Sequence, residues 1–277
     1  MTTLILSVAA LVTVASAVRS TWSPCGLSML ASITPLSETG RGNRFRTTAA
    51  WFVVGSTIGG LTLGLGVAIL AVGVHGLALS STAAGVAALV ITILAVASDA
   101  GVKGLRVPVH HRQVNERWLD QFRPWIYGAG FGWQIGTGLA TYITSAAVYL
   151  MIVLGALGGS PVWAVSLGMA FGLVRGLSVL LGRNITNPDE LRAFHRRFVD
   201  AGPKVGRITV VSEVAAALAI AWSVSPMIGV GVSGALTIAG AGWLARRATA
   251  GVAGHASHPS TPDPTPDAGH LERVTVR

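Results

Sequence analysis

The sequence predicts an all-α protein, a polytopic membrane bundle of about seven transmembrane helices. Hydrophobic residues make up 51% of the chain and charged residues 11%, and the mean hydropathy is +0.62, a balance unsuited to a water-exposed surface. The apolar residues form runs of about 20, the length that crosses a ~30 Å hydrocarbon layer as a helix. The basic residues behind the net charge of +9 lie between these runs. This placement favours membrane loops over a nucleic-acid-binding surface.

The apolar runs predict seven membrane spans. They are residues 2–22, 49–74, 82–102, 127–155, 160–182, 208–224 and 227–245. A short segment ending at Pro226 separates the last two runs. One continuous helix over both would be about 57 Å long at ~1.5 Å per residue, which is too long for a single crossing. We therefore expect two helices, with Pro226 at the turn.

Every second connection between the predicted spans is basic. Lys and Arg cluster in one set of connections, residues 41–46, 103–123, 183–207 and 246–247. The alternate connections, residues 74–81, 155–161 and 223–226, contain neither Lys nor Arg. Basic loops stay on the cytoplasmic side of a membrane. We therefore expect a multi-pass protein of the bacterial plasma membrane, with its N terminus outside and its C terminus in the cytoplasm.

Two basic connections carry helix signals of their own. Residues 112–125 have apolar side chains at helical spacing, typical of an amphipathic helix at the membrane surface. Residues 187–190, Asn-Pro-Asp-Glu, match an N-cap, an N1 proline and a capping-box Glu. Beyond the transmembrane domain, residues 1–249, the composition of residues 250–277 predicts a disordered cytoplasmic tail.

An internal repeat appears when the chain is shifted by 112 residues. The shift aligns Trp51 with Trp163 and the Gly-Leu pairs that begin at residues 60 and 64 with those at 172 and 176. Chance matching is the alternative, because the chain contains 35 glycines. A real repeat comprises residues 2–105 and 127–224, each about three helices long, followed by an extra helix at 227–245. The two units begin on opposite sides of the membrane and are therefore inverted.

Inverted repeats predict a substrate site at the bilayer midplane, where corresponding helices are interrupted by Gly or Pro. The two predicted interruptions are residues 23–26 and 128–138. The candidate cavity residues taken from them and the span that follows are Cys25, Ser28, Gln134, Thr137 and Thr141. Small polar residues also serve ordinary helix contacts. For Cys25 three roles stand: a packing residue, a soft ligand, or a redox thiol.

Ionisable residues within the spans are functional candidates, because a charge in lipid is costly. Arg175 and Glu213 lie at about equal depth on consecutive spans, so we expect an intramembrane ion pair. It serves either as a gate or substrate contact, or as a structural pair. Asp99 is expected to pair with Lys103, one turn further on, at the membrane surface.

The position of Arg19 has two interpretations. A straight first span ending near Val18 places Arg19 at the cytoplasmic face and makes residues 25–35 re-entrant. A broken helix that runs on to Leu36 places Arg19 deep in the membrane. The energetic cost of a buried guanidinium favours the first arrangement, and the family resemblance carried by residues 23–36 and 131–138 favours the second.

Two short segments carry a family resemblance. They are S-P-C-G-L-S-M-L-A-S-I-T-P-L, Ser23 to Leu36, and F-G-W-Q-I-G-T-G, Phe131 to Gly138. With them the chain resembles the transmembrane family of cytochrome c biogenesis and thiol-disulfide interchange proteins, the CcdA and DsbD type of the LysE superfamily. The resemblance implies a cysteine after a proline in each repeat, and electron transfer through the pair. This chain has only Cys25, so an internal thiol relay lacks its second sulfur.

The leading functional hypothesis is a transporter-like membrane protein that binds or moves a small solute at a midplane cavity. One alternative, implied by the resemblance, is a single-cysteine electron carrier that works with a partner thiol such as a thioredoxin-like protein. Another is a non-transporting membrane subunit. No nucleotide-binding loop, catalytic triad or metal-ligand cluster is recognisable, so we expect no enzyme activity, no cofactor, no metal and no nucleic-acid partner.

Overall fold

The computed structural model describes residues 2–102, 104, 105, 121–139, 143 and 145–238. These residues form α-helices and one 3-10 turn, without a β-strand in the described ranges. The helices are α1 (Thr2–Thr21), α2 (Pro24–Ser32), α3 (Pro35–Gly40), α4 (Phe45–Gly76), α5 (Ser81–Asp99), α6 (Pro124–Gly136), α7 (Ala147–Leu157), α8 (Pro161–Leu177), α9 (Pro188–Val224) and α10 (Pro226–Ile238). The 3-10 turn Ser178–Gly182 continues α8.

Five helices are long and apolar enough to cross a membrane: α1, α4, α5, α8 with its 3-10 extension, and α9. They correspond to the predicted spans at 2–22, 49–74, 82–102, 160–182 and 208–224. The all-α prediction is therefore confirmed for the described residues. The length and apolar composition of these helices support a membrane protein. The count of seven spans and the inverted repeat stay predictions.

The predicted span at 127–155 is wrong as a single helix. It consists of α6 and α7, with 13 and 11 residues, separated by a break that begins at Thr137. The span at 227–245 is described only as far as Ile238, where α10 reaches the edge of the described residues. The surface helix at 112–125 and the tail at 250–277 fall largely or wholly outside the described residues.

Helix α9 begins well before its predicted apolar part. Asn187 caps it by accepting a hydrogen bond from the Glu190 amide at 2.9 Å, and Pro188 occupies N1, as the sequence predicts. The Glu190 carboxylate accepts from the Thr186 amide at 2.7 Å, one residue earlier than a standard capping box. The helix then continues through Pro203 for 37 residues.

The centre of the bundle is a glycine-lined contact of α4 with α6 on one side and α8 on the other. A Cβ atom added to Gly60 would lie 2.2 Å from the Gly168 carbonyl oxygen, and one added to Gly132 would lie 2.1 Å from the Phe52 carbonyl oxygen. No side chain fits at these positions. Small residues let membrane helices approach to backbone distance, where dispersion contacts replace the missing hydrophobic effect.

The connection from α3 to α4 is tied to α6 by a buried carboxylate. Glu38 accepts hydrogen bonds from the Thr48 hydroxyl and from the Tyr127 hydroxyl, each at 2.6 Å. The Arg41 guanidinium forms an ion pair with its second oxygen at 3.2 Å. Both Glu38 oxygens therefore have partners, as a buried carboxylate requires. This cluster fixes the first turns of α4 and α6 side by side.

Candidate functional site

The first helix break comprises Trp22 and Ser23, between α1 and α2. The sequence predicts an interruption at 23–26, but Pro24 already begins α2 at N1. The Ser23 hydroxyl accepts a hydrogen bond from the Gly26 amide at 3.1 Å and so caps the new helix. A Cβ atom on Gly26 would lie 2.1 Å from the Thr21 carbonyl oxygen. The end of one helix thus meets the start of the next at backbone contact.

Trp22 joins the first break to α9. Its ring stacks on Phe198, with centroids 4.5 Å apart and an interplanar angle of 3°. The indole N–H donates to the Phe198 carbonyl oxygen at 2.7 Å, which satisfies the polar end of a partly buried side chain. The first break is therefore closed by its own cap and by one aromatic contact.

The second break begins later than the sequence predicts. The glycine-rich stretch at 128–138 is helical as far as Gly136, because its glycines serve close contact with α4. A Cβ atom on Gly136 would lie 2.0 Å from the Ser56 carbonyl oxygen. The chain leaves the helix at Thr137, and Gly138 adopts φ +67°, which suits glycine. The next helix, α7, begins at Ala147.

The start of α7 is capped by a residue from a different helix. Asp99, the last residue of α5, accepts a hydrogen bond from the Ala146 amide at 2.7 Å. Its other carboxylate oxygen accepts a short hydrogen bond from the Ser145 hydroxyl. A carboxylate at a helix N-terminus is favoured by the unpaired amides and by the helix dipole. The expected partner of Asp99, Lys103, lies outside the described residues.

Arg175 joins the two breaks. Its side chain is 1% exposed. One guanidinium nitrogen donates to the Ile135 carbonyl oxygen at 2.6 Å, and another donates to the Ser20 carbonyl oxygen at 3.4 Å. These carbonyls belong to the last turns of α6 and α1, where the helix dipole is negative. The guanidinium also lies over the Phe171 ring, 5.5 Å from its centroid, which adds a cation–π contact.

Several predicted cavity residues lie near this centre. Cys25 is 5% exposed and close enough to Arg175 for the two groups to interact electrostatically. Thr137 is 8% exposed, and its hydroxyl donates to the Gln134 carbonyl oxygen at 2.8 Å. Ser28, one turn beyond Cys25, is half-buried.

A largely apolar pocket of ≈ 380 Å³ borders the second break. Thr137 and Leu139 line it from the break, and Thr62, Gly66 and other residues line it from α4. The pocket lies beside the break and does not include Arg175 among its lining residues. Thr141, the last of the predicted cavity residues, lies outside the described residues.

The predicted ion pair between Arg175 and Glu213 is not present in the described part of the chain. Arg175 binds the two helix ends, whereas Glu213 is fully buried on α9 and faces Asp99. Equal depth on consecutive helices does not ensure contact, because the helices have different neighbours. Helix α8 packs against α4 and α1, and α9 packs against α5 and α1.

The structure also places two other ionisable residues, Arg19 and Asp99. Arg19 lies in the last turn of α1, half-buried, and its side chain approaches Gly206 of α9. The helix thus continues past Val18 and ends at Thr21, between the two arrangements that the sequence allows. Asp99 is the functional candidate that sequence reasoning placed elsewhere. An acidic residue at the end of an apolar run was its only signal.

Comparison with known proteins identifies relatives of one kind. The chain is 33% identical over 171 residues to the methylamine utilization protein MauF of Paracoccus versutus, covering 60% of this chain and 61% of that protein. It is 32% identical over 172 residues to MauF of Paracoccus denitrificans, covering 60% of each chain. With MauF of Methylophilus methylotrophus it shares 24% identity over 204 residues, 72% of this chain and 70% of that protein. No family model and no solved structure matches the chain.

These findings correct the family resemblance. The matched region spans about three fifths of the length of the Paracoccus relatives. The relatives are methylamine utilization proteins rather than thiol-disulfide interchange proteins, so the resemblance read from Ser23 to Leu36 and from Phe131 to Gly138 is wrong. A Ser-Pro helix start and closely spaced glycines are what a helix break and a tight helix contact require, in any family.

Proposed function

We propose that this chain is a multi-pass membrane protein that binds or moves a small solute between two inverted three-helix units, and that it serves methylamine utilization. The observation that carries the proposal is the meeting of both helix breaks at Arg175. Transporters with inverted repeats place their binding sites where interrupted helices converge. The proposal assigns the chain binding and movement of a solute rather than catalysis.

The pairing of helices supports the inverted repeat. Under the 112-residue shift, α4 corresponds to α8 and α5 to α9, and in each case the two corresponding helices contact each other. Two units related by a twofold axis bring equivalent elements together in this way. Gly60 and Gly172 are equivalent under the shift, and a Cβ atom on either would lie 2.8 Å from the Cα atom of the other.

Individual contacts repeat under the same shift. Gly60 meets the Gly168 carbonyl at 2.2 Å, and the equivalent pair is Gly172 with the Ser56 carbonyl, also at 2.2 Å. Gly64 approaches the Cα atom of Val165 at 2.8 Å, and the equivalent pair, Gly176 with Val53, does so at 3.2 Å. These distances are measured from the Cβ atom that each glycine would carry.

The position of Arg175 supports a gating role. Its guanidinium holds the ends of α1 and α6 together, and any solute that separates these ends must replace its bonds to the two carbonyls.

A cavity of ≈ 560 Å³ opens at a different place, between the start of α1 and the α4–α5 and α7–α8 connections. His75, Ser81 and Ser160 are among its lining residues. We propose this cavity as the mouth of the pathway on the outer side.

Growth on methylamine tests the proposed role. A Paracoccus denitrificans strain deprived of its own MauF would receive this chain, Arg175→Ala, or the exposed control Arg192→Ala. We expect the wild type and Arg192→Ala to restore growth, and Arg175→Ala to fail at equal membrane abundance. Failure of the wild type despite normal insertion contradicts a role in methylamine utilization. Equal growth with Arg175→Ala contradicts a function centred on the breaks.

A non-transporting membrane subunit is the second candidate. The packing around Arg175 favours this candidate. The Arg175 side chain is 1% exposed, and its guanidinium is bound by backbone carbonyl groups of α1 and α6, so the centre between the two breaks is closed. Purified chain in liposomes distinguishes the two functions, with labelled methylammonium as the probe. Uptake above empty liposomes, lost in Arg175→Ala, supports transport. Absence of uptake, together with co-purification of a second membrane or periplasmic protein from the complemented strain, supports the subunit.

A further inference from the structure

A pair of carboxyl groups, the fully buried Glu213 of α9 and the half-buried Asp99 of α5, lies where α5 packs against α7 and α9. Glu213 is 0% exposed, and within the described residues neither of its carboxyl oxygens has a hydrogen-bond partner. The neighbouring charged group that acts on it is Asp99. A buried polar side chain without a partner is rare in folded proteins and requires an explanation. Glu213 takes no part in the hydrogen bonds of Arg175 or in those of the helix caps.

The two carboxyl groups have opposite environments. Both oxygens of Asp99 have hydrogen-bond donors, the Ala146 amide and the Ser145 hydroxyl. Glu213 has no donor of ordinary hydrogen-bond geometry among the described residues, is shielded from water, and interacts with the Asp99 carboxyl group. An ionised carboxylate in such a place is strongly disfavoured. The neutral acid removes the charge repulsion.

The surrounding elements supply no counter-charge in the described residues. Of the helices packed against α9, α5 contributes Asp99, and α1 contributes Arg19, which approaches α9 at Gly206, about two turns before Glu213. On α9 itself the nearest basic residue is Arg207. Neither ion pair formed by the described residues includes Asp99 or Glu213.

A metal ion fits this pair poorly. No group of three or more His, Cys, Asp or Glu side chains is gathered in the described part of the chain, whereas protein sites for zinc or calcium use at least three protein ligands as a rule. A mostly apolar pocket of ≈ 240 Å³ lies near Asp99; Ser98, Ala146 and Tyr149 are among its lining residues, and neither carboxyl group lines it. It is large enough to admit water.

We propose that Asp99 and Glu213 form a proton-binding pair that holds one exchangeable proton, and that its occupancy controls the cap of α7. With the proton on Glu213 the pair carries one negative charge, and Asp99 is held at the Ala146 amide. Loss of the proton to water leaves two facing carboxylates. Their repulsion displaces the carboxylates and strains the hydrogen bonds by which Asp99 holds Ser145 and Ala146, which loosens the second break. The inference goes beyond the proposed function, because it requires no particular solute.

Reaction with a hydrophobic carbodiimide tests the pair directly. Such reagents enter the membrane interior and react with protonated carboxyl groups, so the purified chain in nanodiscs is expected to become labelled at Glu213. Mass spectrometry locates the label. Above the midpoint of the titration, labelling is expected to fall about tenfold for each pH unit, as for any single acid. Glu213→Gln should lose the label, and Asp189 serves as the internal control, since its side chain is 88% exposed.

An infrared measurement provides a second readout that does not depend on reagent access. The carbonyl band of a protonated carboxylic acid is expected in the wild type and in Asp99→Asn, and absent in Glu213→Gln. If Glu213→Gln does not fold, the site and pH dependence of wild-type labelling still decide the matter.

Three results would overturn the proposal. One is labelling that spares Glu213 in the folded protein but reaches it after unfolding. Another is labelling that does not vary with pH. The third is protection at constant pH by sodium or methylammonium, which would assign the pair to that cation instead of a proton. None of these results bears on growth or uptake, so this inference and the proposed function fail separately.

Discussion

The two helix breaks differ in what holds them. The first, at Trp22 and Ser23, is short and capped by its own Ser23. The second begins at Thr137 and depends on other helices, because Gly136 lies against α4 and Asp99 of α5 caps the start of α7. One break is a local feature of its own segment, and the other is assembled by tertiary contacts.

Because of this difference, we expect the two breaks to behave differently in a conformational change. A break held by its own cap moves as a unit, because its hydrogen bonds travel with it. A break held by distant residues opens when those residues move or change charge. Arg175 binds both breaks, so a change at the second is transmitted to the first. We expect the second break to be the moving one.

Arg175→Ala gives the largest expected effect because it disrupts both breaks at once. The substitution removes a buried side chain and leaves the Ile135 and Ser20 carbonyls without their guanidinium donors. Each such loss costs about 1–3 kcal/mol, and the cavity adds to it, so we expect a loss of about 3–5 kcal/mol. Denaturant unfolding in detergent micelles measures it. Arg192→Ala, whose side chain is 71% exposed, is the control and should stay within about 0.5 kcal/mol of wild type.

Alanine substitutions at Gly26 and Gly136 separate the two breaks. At both sites a Cβ atom would fall within 2.1 Å of a carbonyl oxygen, of Thr21 in the first case and of Ser56 in the second. Forcing such contacts apart costs about 1–3 kcal/mol. Gly66→Ala meets nothing within 4 Å and should be neutral or slightly stabilising.

The consequences of the two glycine substitutions should differ in extent. Gly26→Ala disturbs one chain segment, whereas Gly136→Ala also moves α6 away from α4. Increased accessibility of cysteines placed along the α4–α6 contact, in Gly136→Ala alone, is the expected result. Equal opening of that contact by Gly26→Ala would refute the distinction between a local break and an assembled one.

Removal of the caps tests the same distinction with a smaller effect. Ser23→Ala and Asp99→Ala each delete one N-cap, and we expect a loss of about 1–2 kcal/mol in either case. Ser23→Ala should leave the packing of α5 unchanged. Asp99→Ala should alter the contact of α5 with α7, detected as a changed distance between spin labels on these two helices. An unchanged distance in Asp99→Ala would show that the cap from α5 does not hold the second break.

Trp22→Phe gives the smallest effect and concerns the first break alone. Phenylalanine keeps the stacking on Phe198 but loses the hydrogen bond to its carbonyl oxygen, worth about 0.5–1.5 kcal/mol. Trp163→Phe is the matched control, because Trp163 is 50% exposed. The difference between the two unfolding free energies measures the bond. If both substitutions cost the same, the link from the first break to α9 is not made by this hydrogen bond.

Hydropathy was sufficient to locate five helices, because a span needs only length and apolar composition. It failed at 127–155, where the residues bordering the break contact Asp99 and Ser56 on other helices, and no local residue pattern encodes a cap from another helix. The Ser23-Pro24 start of α2 was visible because it is a local cap signal. The sequence predicts an interruption over the whole Gly128–Gly138 stretch, but the chain is helical as far as Gly136 and leaves the helix only at Thr137, because glycine signals both flexibility and close contact.

In the candidate site, too, the sequence identifies some features and misses others. Arg175 and Glu213 stood out as charges in apolar runs, but their partners did not. The pair between them was inferred from depth, and depth does not determine which helices are neighbours. Asp99 was assigned to the nearest basic residue in sequence. Its contacts with Ser145 and Ala146 depend on the packing of α5 against α7, which one sequence does not specify.

Hydrogen–deuterium exchange in Arg175→Ala tests the central claim, that one buried guanidinium holds both helix breaks, most directly. The account predicts faster amide exchange in two separate peptides, one covering residues 19–27 and the other residues 133–139, with Arg192→Ala unchanged. Faster exchange confined to α8 around position 175, with both breaks as protected as in the wild type, would contradict it.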